Sequence, residues 1–111
     1  FYDMAMYDVA NDKTWIYSNE DPRYALGTSL FYRREAWERV PFPDKTPEDN
    51  IWRKEVGLDN CESQSCFRED GSPIMVQTVH GGNASARIFP SSHRYKRASS
   101  LQDEQIRELL K

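Results

Sequence analysis

Two aromatic-rich runs open the chain, FYDMAMYDV at 1–9 and TWIYS at 14–18, with polar ANDK between them. Aromatic and β-branched residues suit a pleated, half-buried surface and the polar tetrapeptide suits a reversal, so the pattern predicts an antiparallel hairpin. NEDPRY (19–24) is a polar loop, and Gly27 leads into TSLFYRR (28–34). There Leu30 and Tyr32 alternate with Ser29, Phe31 and Arg33, the pattern of a short single strand. REAWERV (34–40) has helix formers, with Trp37 and Val40 at i, i+3 spacing. That short helix must stop before Pro41, because the residue ahead of a proline avoids the helical region.

PFPDK (41–45) is extended or turning, and a clear helix start follows. Thr46 stands as N-cap, Pro47 at the first helical position and Asp49 at the third, a capping-box-like T-x-x-D. The helix runs to about Val56 and ends at Gly57. Beyond it, CFRE (66–69), the turn DGSP (70–73) and IMVQTVH (74–80) read as a second hairpin, and GGNASA (81–86) as loop. Residues 87–97 carry Arg87, Arg94, Lys96 and Arg97 without one acid, and read as a solvated basic loop. The last residues, SSLQDEQIRELLK, predict an amphipathic helix capped by Ser99 or Ser100, with Leu101, Ile106, Leu109 and Leu110 as its apolar side. Whether it packs on the domain or on a neighbour is open at this level. The predicted class is α+β: a small mixed or antiparallel sheet of two hairpins plus a single strand, with short helices. No alternating βαβ pattern of a nucleotide-binding unit is present.

At 111 residues the chain is one small domain or part of a larger one, and its start at Phe1 suggests a fragment or processed product. Fifteen Lys plus Arg against 18 Asp plus Glu give a net charge of −3, which argues against binding nucleic acid through the whole surface. Mean hydropathy is low at −0.85, yet 13% aromatic residues can close a core. No apolar run approaches a membrane span. Cys61 and Cys66, in CESQSC, are too few for a zinc site. That short loop could be closed by a disulfide, but the preferred reading is two free thiols in a reducing cytoplasm.

Three positions attract chemical interest. Glu48 and Asp49 favour the positive end of the helix macrodipole, which alone explains them. A carboxylate there is also held at a fixed angle and stays ionised, as a general base requires. Trp52 lies one turn away, placed either to stack on a sugar ring or, the better reading, to join the core. His80 closes a predicted strand before two glycines, as a metal ligand or simply as an exposed residue of a turn. Asn83 and Ser85 add small polar groups of a kind that holds phosphates.

Taken in order, YALGTSLFYRREAWERVPFPDKTPEDNIW and VQTVHGGNAS resemble the C-terminal half of an inverting family 2 glycosyltransferase of the GT-A fold, over roughly residues 24–86. The resemblance implies Asp49 as the general base that deprotonates an acceptor hydroxyl, with Glu48 orienting acceptor or base. It implies His80 beside a divalent cation, Mg²⁺ or Mn²⁺, or a donor phosphate. Arg33 or Arg34 would steady phosphates or the acidic pair, Trp52, Asn83 and Ser85 would line the substrate site, and Trp37 would pack its helix. The partners implied are a nucleotide-sugar donor and a carbohydrate or other hydroxyl acceptor. The family's metal-binding D-x-D is missing from the chain. The expectation is therefore an acceptor-side half, residues 1–98, followed by a terminal helix, 99–111, inactive alone and binding no cofactor tightly. The alternative is a catalytically silent sugar- or partner-binding module on the same scaffold. A half-domain would also expose Phe1, Tyr2, Met4, Met6 and Tyr7, a surface for a homo-oligomer.

Overall fold

The computed structural model describes all residues except 20, 22, 25, 27–28, 45–47, 58–60 and 83–91. The opening hairpin forms as expected, from β1 (Asp3–Asp8) and β2 (Lys13–Ser18), paired antiparallel with Met4 opposite Tyr17 and Met6 opposite Trp15. Its turn is held by Asp8, whose carboxylate accepts from the Asn11 backbone and side-chain amides at 3.4 and 2.8 Å. Asp12 completes the reversal at φ 53°, a left-handed conformation that Asp tolerates better than most residues.

The second hairpin is reduced to a single antiparallel bridge. Phe67 and Pro73 make one isolated bridge around the Asp70–Gly71 turn, and the chain then runs as β3 (Val76–Val79) parallel to β1. Asp3 directs this outcome, since its carboxylate accepts from the Ser65 hydroxyl at 2.6 Å and from the Cys66 backbone N–H. The returning strand is thereby delivered to the open edge of β1. Part of the segment read as a basic loop is also a strand, β4 (Tyr95–Arg97), antiparallel to β2. The sheet is mixed, in the order β3-β1-β2-β4. Residues 30–33 do not join it, although their alternation predicts a strand.

Opposed residues of an antiparallel pair share a face, so Met4, Met6, Trp15 and Tyr17 line one side. There they meet Leu26, Cys66 and Val79 in the main core. Met4 and Met6 are fully buried and Phe1, Tyr2 and Tyr7 half-buried, so the surface expected to be bare for self-association is already covered. Both cysteines are free thiols, Cys66 buried and Cys61 half-buried.

Three helices complete the described fold: α1 (Arg34–Arg39), α2 (Glu48–Val56) and α3 (Ser100–Leu109). Gly57, at φ 98°, ends α2 by donating its N–H to the Arg53 carbonyl in the left-handed arrangement that glycine accepts freely. α1 buries none of its residues, and Trp37, expected to pack it, is 42% exposed. None of the described helices is long and apolar enough to cross a membrane.

α3 resolves the question of its cap and its partner. Ser99 is the cap: its hydroxyl accepts from Gln102 N–H while the Gln102 side chain accepts from Ser99 N–H, a reciprocal box. The helix packs on β1. Of its four expected apolar contacts only Ile106 is buried, and Leu101, Leu109 and Leu110 face solvent. Polar bonds take their place. The buried Thr14 hydroxyl donates to Asp103 at 2.6 Å, and Arg107 bridges Asp103 at 3.0 Å and Asp12 at 2.7 Å while lying over the Tyr7 ring. The Thr14 bond first, then Arg107, holds the Asp103 carboxyl below the ordinary carboxylate range; Arg107 first, then Tyr7, does the same for Asp12.

Two outcomes follow from this docking. Ile106→Ala removes the one buried apolar anchor of α3 and should cost about 2–5 kcal/mol in urea unfolding. A carboxylate whose pKa is depressed by folding stabilises the fold above its unfolded value and loses that contribution as pH falls through its folded value. Amide exchange should therefore show α3 losing protection before β1 below about pH 4, and Asp103→Asn should flatten that acid dependence.

Candidate functional site

The candidate acids occupy the first turn of α2, Glu48 exposed and Asp49 half-buried. Asp49 Oδ1 accepts the backbone N–H of Asn50 at 2.9 Å, which fixes the carboxylate against the helix start. The cap and proline expected ahead of them, Thr46 and Pro47, lie outside the described residues, as do Asn83 and Ser85.

One turn on, Trp52 is only 3% exposed. Its indole N–H donates to the Val40 carbonyl, so the buried polar atom is satisfied. Its ring lies 5.0 Å from Tyr32 and 4.9 Å from Phe42, which are themselves 5.5 Å apart. The three rings form an aromatic knot. It joins the GTSLFY segment, the PFP segment and the EDNIW segment, three pieces that the sequence leaves about ten residues apart. Trp52 is thus a core residue, with no ring face left for a sugar.

The next residue, Arg53, is a functional candidate's support that sequence reasoning missed. It is 5% exposed, donates to the Arg23 carbonyl and to Asn50 Oδ1 at 3.5 Å, and stacks over Tyr24 at 5.2 Å. Trp52 therefore ties α2 to the segment before it, and Arg53 ties it to the loop after β2. An arginine in the last turn of a short helix reads as solvated, because the carbonyl and ring that receive it lie some thirty residues upstream. Only its place beside Trp52 hints otherwise.

The other candidates belong to other elements than the acids. Arg33 is exposed, and Arg34 is bonded to Glu38 of its own helix at 2.8 Å. His80 is exposed just beyond β3, and its Nδ1 accepts the Gly82 N–H at 3.0 Å. A neutral imidazole in that arrangement carries its proton on Nε2. A Cβ at Gly82 would stand 3.1 Å from the imidazole ring, so a side chain there would have to push the exposed ring aside by a few tenths of an ångström.

Mg²⁺ and Mn²⁺ favour several oxygen ligands in a near-octahedral shell. Among the described residues no three His, Cys, Asp or Glu side chains gather to supply one. A cleft of about 450 Å³ lies elsewhere, between the 68–73 turn and α3, lined by Arg68, Pro73, Glu104 and Glu108 among others. It contains none of the residues named for the acceptor site.

Comparison of the chain with protein-family models, with curated proteins and with solved structures gives no match.

Because the knot fixes the axis of α2, Trp52→Ala should cost about 3–5 kcal/mol in urea unfolding, the scale of a buried aromatic truncation. A loss below about 1 kcal/mol, the scale of a surface substitution, would show that the knot does not hold the helix.

Proposed function

We propose that this chain is the acceptor-side part of an inverting glycosyltransferase that uses a nucleotide-sugar donor, with Asp49 as the general base. The reading is carried by one observation: the three segments whose order resembles that of the family meet in the Tyr32–Phe42–Trp52 knot, whose Trp52 stands three residues after Asp49 on α2. Their spacing along the chain then has a physical cause. Each segment supplies one ring, and the helix they support carries the acids.

The chemistry suits the position. An inverting transfer needs a base on one side of the anomeric carbon and a departing diphosphate on the other, with the acceptor oxygen held in line. Asp49, fixed by its bond to Asn50 and seated at the positive end of α2, presents a carboxylate oxygen with a set direction. It takes the hydroxyl proton as the acceptor oxygen attacks the sugar. Glu48, exposed beside it, orients the acceptor through a second hydroxyl. The diphosphate and any divalent cation belong, in this reading, to parts of a longer enzyme outside these residues.

The test is Asp49→Asn in the full-length protein. Turnover should fall by about 10²–10⁴, the contribution of a positioned base, with the circular dichroism unchanged because Asn still accepts the same backbone bond. Undiminished turnover removes Asp49 as the base. If the full-length protein also transfers no sugar, the chain reads as a sugar- or partner-binding module.

A further inference from the structure

We propose that the free edge of β3 pairs with the same strand of a second copy of this chain, antiparallel and centred on Gln77. Among the described residues β3 is an outer strand of the sheet, bonded to β1 on one side and to no strand on the other. The Val79 carbonyl accepts from Val9 N–H at 3.0 Å, so Val79 turns its backbone groups to the β1 side. Those groups alternate along a strand. Gln77 therefore also faces β1, while Val76 and Thr78 hold their N–H and C=O groups toward the free side.

The two edges of the sheet are not alike. A free strand edge is a template for further pairing, and proteins blunt it with charges, proline or short length. β4 has such protection, with three residues of which two are Lys96 and Arg97. β3 reads Val-Gln-Thr-Val, with no charge and no proline, and three of its four residues are β-branched. That composition favours a neighbour on both sides.

Gln77 shows what that neighbour supplies. It stands opposite Met6, hence on the core face, and its Oε1 is shut off from water with no donor. A buried acceptor without a partner is costly, so a donor is wanted beside the free edge. Antiparallel pairing about a two-fold axis normal to the sheet sets Gln77 directly across from Gln77 of the second copy, on the same face. Because Gln77 turns its backbone to β1, the two form a non-hydrogen-bonded pair, in which opposed Cα atoms come within about 4.5 Å and side chains are closest. A turn of each side chain then lets Nε2 donate and Oε1 accept across the axis, a reciprocal amide pair. Val76 and Thr78 of the two copies meet as hydrogen-bonded pairs and use the remaining backbone groups. A second copy brings by symmetry both the uncharged strand and the amide, in the self-complementary arrangement that a two-fold interface requires.

Sedimentation equilibrium of the chain, from micromolar to millimolar concentration, tests the pairing, and a concentration-dependent dimer is expected. Thr78→Pro removes an outward N–H and spares the ladder to β1, a position where an edge strand admits proline. It should raise the dimer dissociation constant at least about tenfold. Thr78→Lys, at an exposed position of the same edge, should weaken the dimer likewise and keeps the test valid where proline disturbs the strand. Disulfide capture under mild oxidation reads the register. Gln77→Cys should give a covalent dimer, since the opposed Cα atoms lie within disulfide reach. Thr78→Cys should not, because its twin stands on the diagonal, about 7–8 Å away. The parent, with Cys66 buried and Cys61 half-buried, sets the background. A monomer at every concentration overturns the proposal and leaves the edge to a strand of another kind. So does a dimer that Thr78→Pro and Thr78→Lys leave undiminished, or capture through Thr78→Cys in place of Gln77→Cys. The pairing needs nothing from the transferase reading, and the Asp49→Asn turnover assay can succeed or fail apart from it.

Discussion

β1 is hydrogen-bonded along both edges, to β2 on one side and β3 on the other, and its residues are buried on both faces. The rest of the fold is arranged around that strand. Its middle residues Met4, Ala5 and Met6 are apolar and fully buried, and the aspartates at its two ends are buried with hydrogen-bond partners. Its first residue, Asp3, does more than pair. By holding Ser65 and Cys66 it places the chain that becomes β3, and so turns a local hairpin into a mixed sheet.

The two faces of the sheet are closed by different physics. One is sealed by loops that bring Leu26, Cys66 and half-buried aromatics onto the methionines. The other receives α3, whose single buried residue, Ile106, is supplemented by the Thr14–Asp103–Arg107–Asp12 chain of polar bonds. Exposed ion pairs contribute little each, so the direction that the buried Thr14 hydroxyl gives to Asp103 counts for more than the number of charges. Leucines left outside on α3 show that an apolar residue at helical spacing is covered only where a partner surface exists.

The candidate site stands apart from the sheet and depends on the aromatic knot. Three rings from three segments fix α2, and Arg53 fixes its other side by a carbonyl and a tyrosine ring. Asp49 rides on that frame, and His80 rides on β3, held by its own glycine turn.

Local signals determined the elements whose causes are local. The opening hairpin follows from its aromatic runs and polar turn, α2 ends at the glycine that can adopt a left-handed angle, and α3 begins where a serine and a glutamine can cap each other. The acids of α2 were legible as candidates because a helix start gives them a fixed position. Long-range partners decided the rest. The alternation at 30–33 resembles a strand, but a strand exists only where it is paired, and these residues join neither outer strand of the β3-β1-β2-β4 sheet. Likewise the burial of Trp52 and Arg53 depends on Val40, Phe42, Tyr24 and Arg23, residues that spacing within one helix cannot see. Periodicity reports which face of an element is apolar; only tertiary structure supplies what that face meets, because burial is a property of two surfaces.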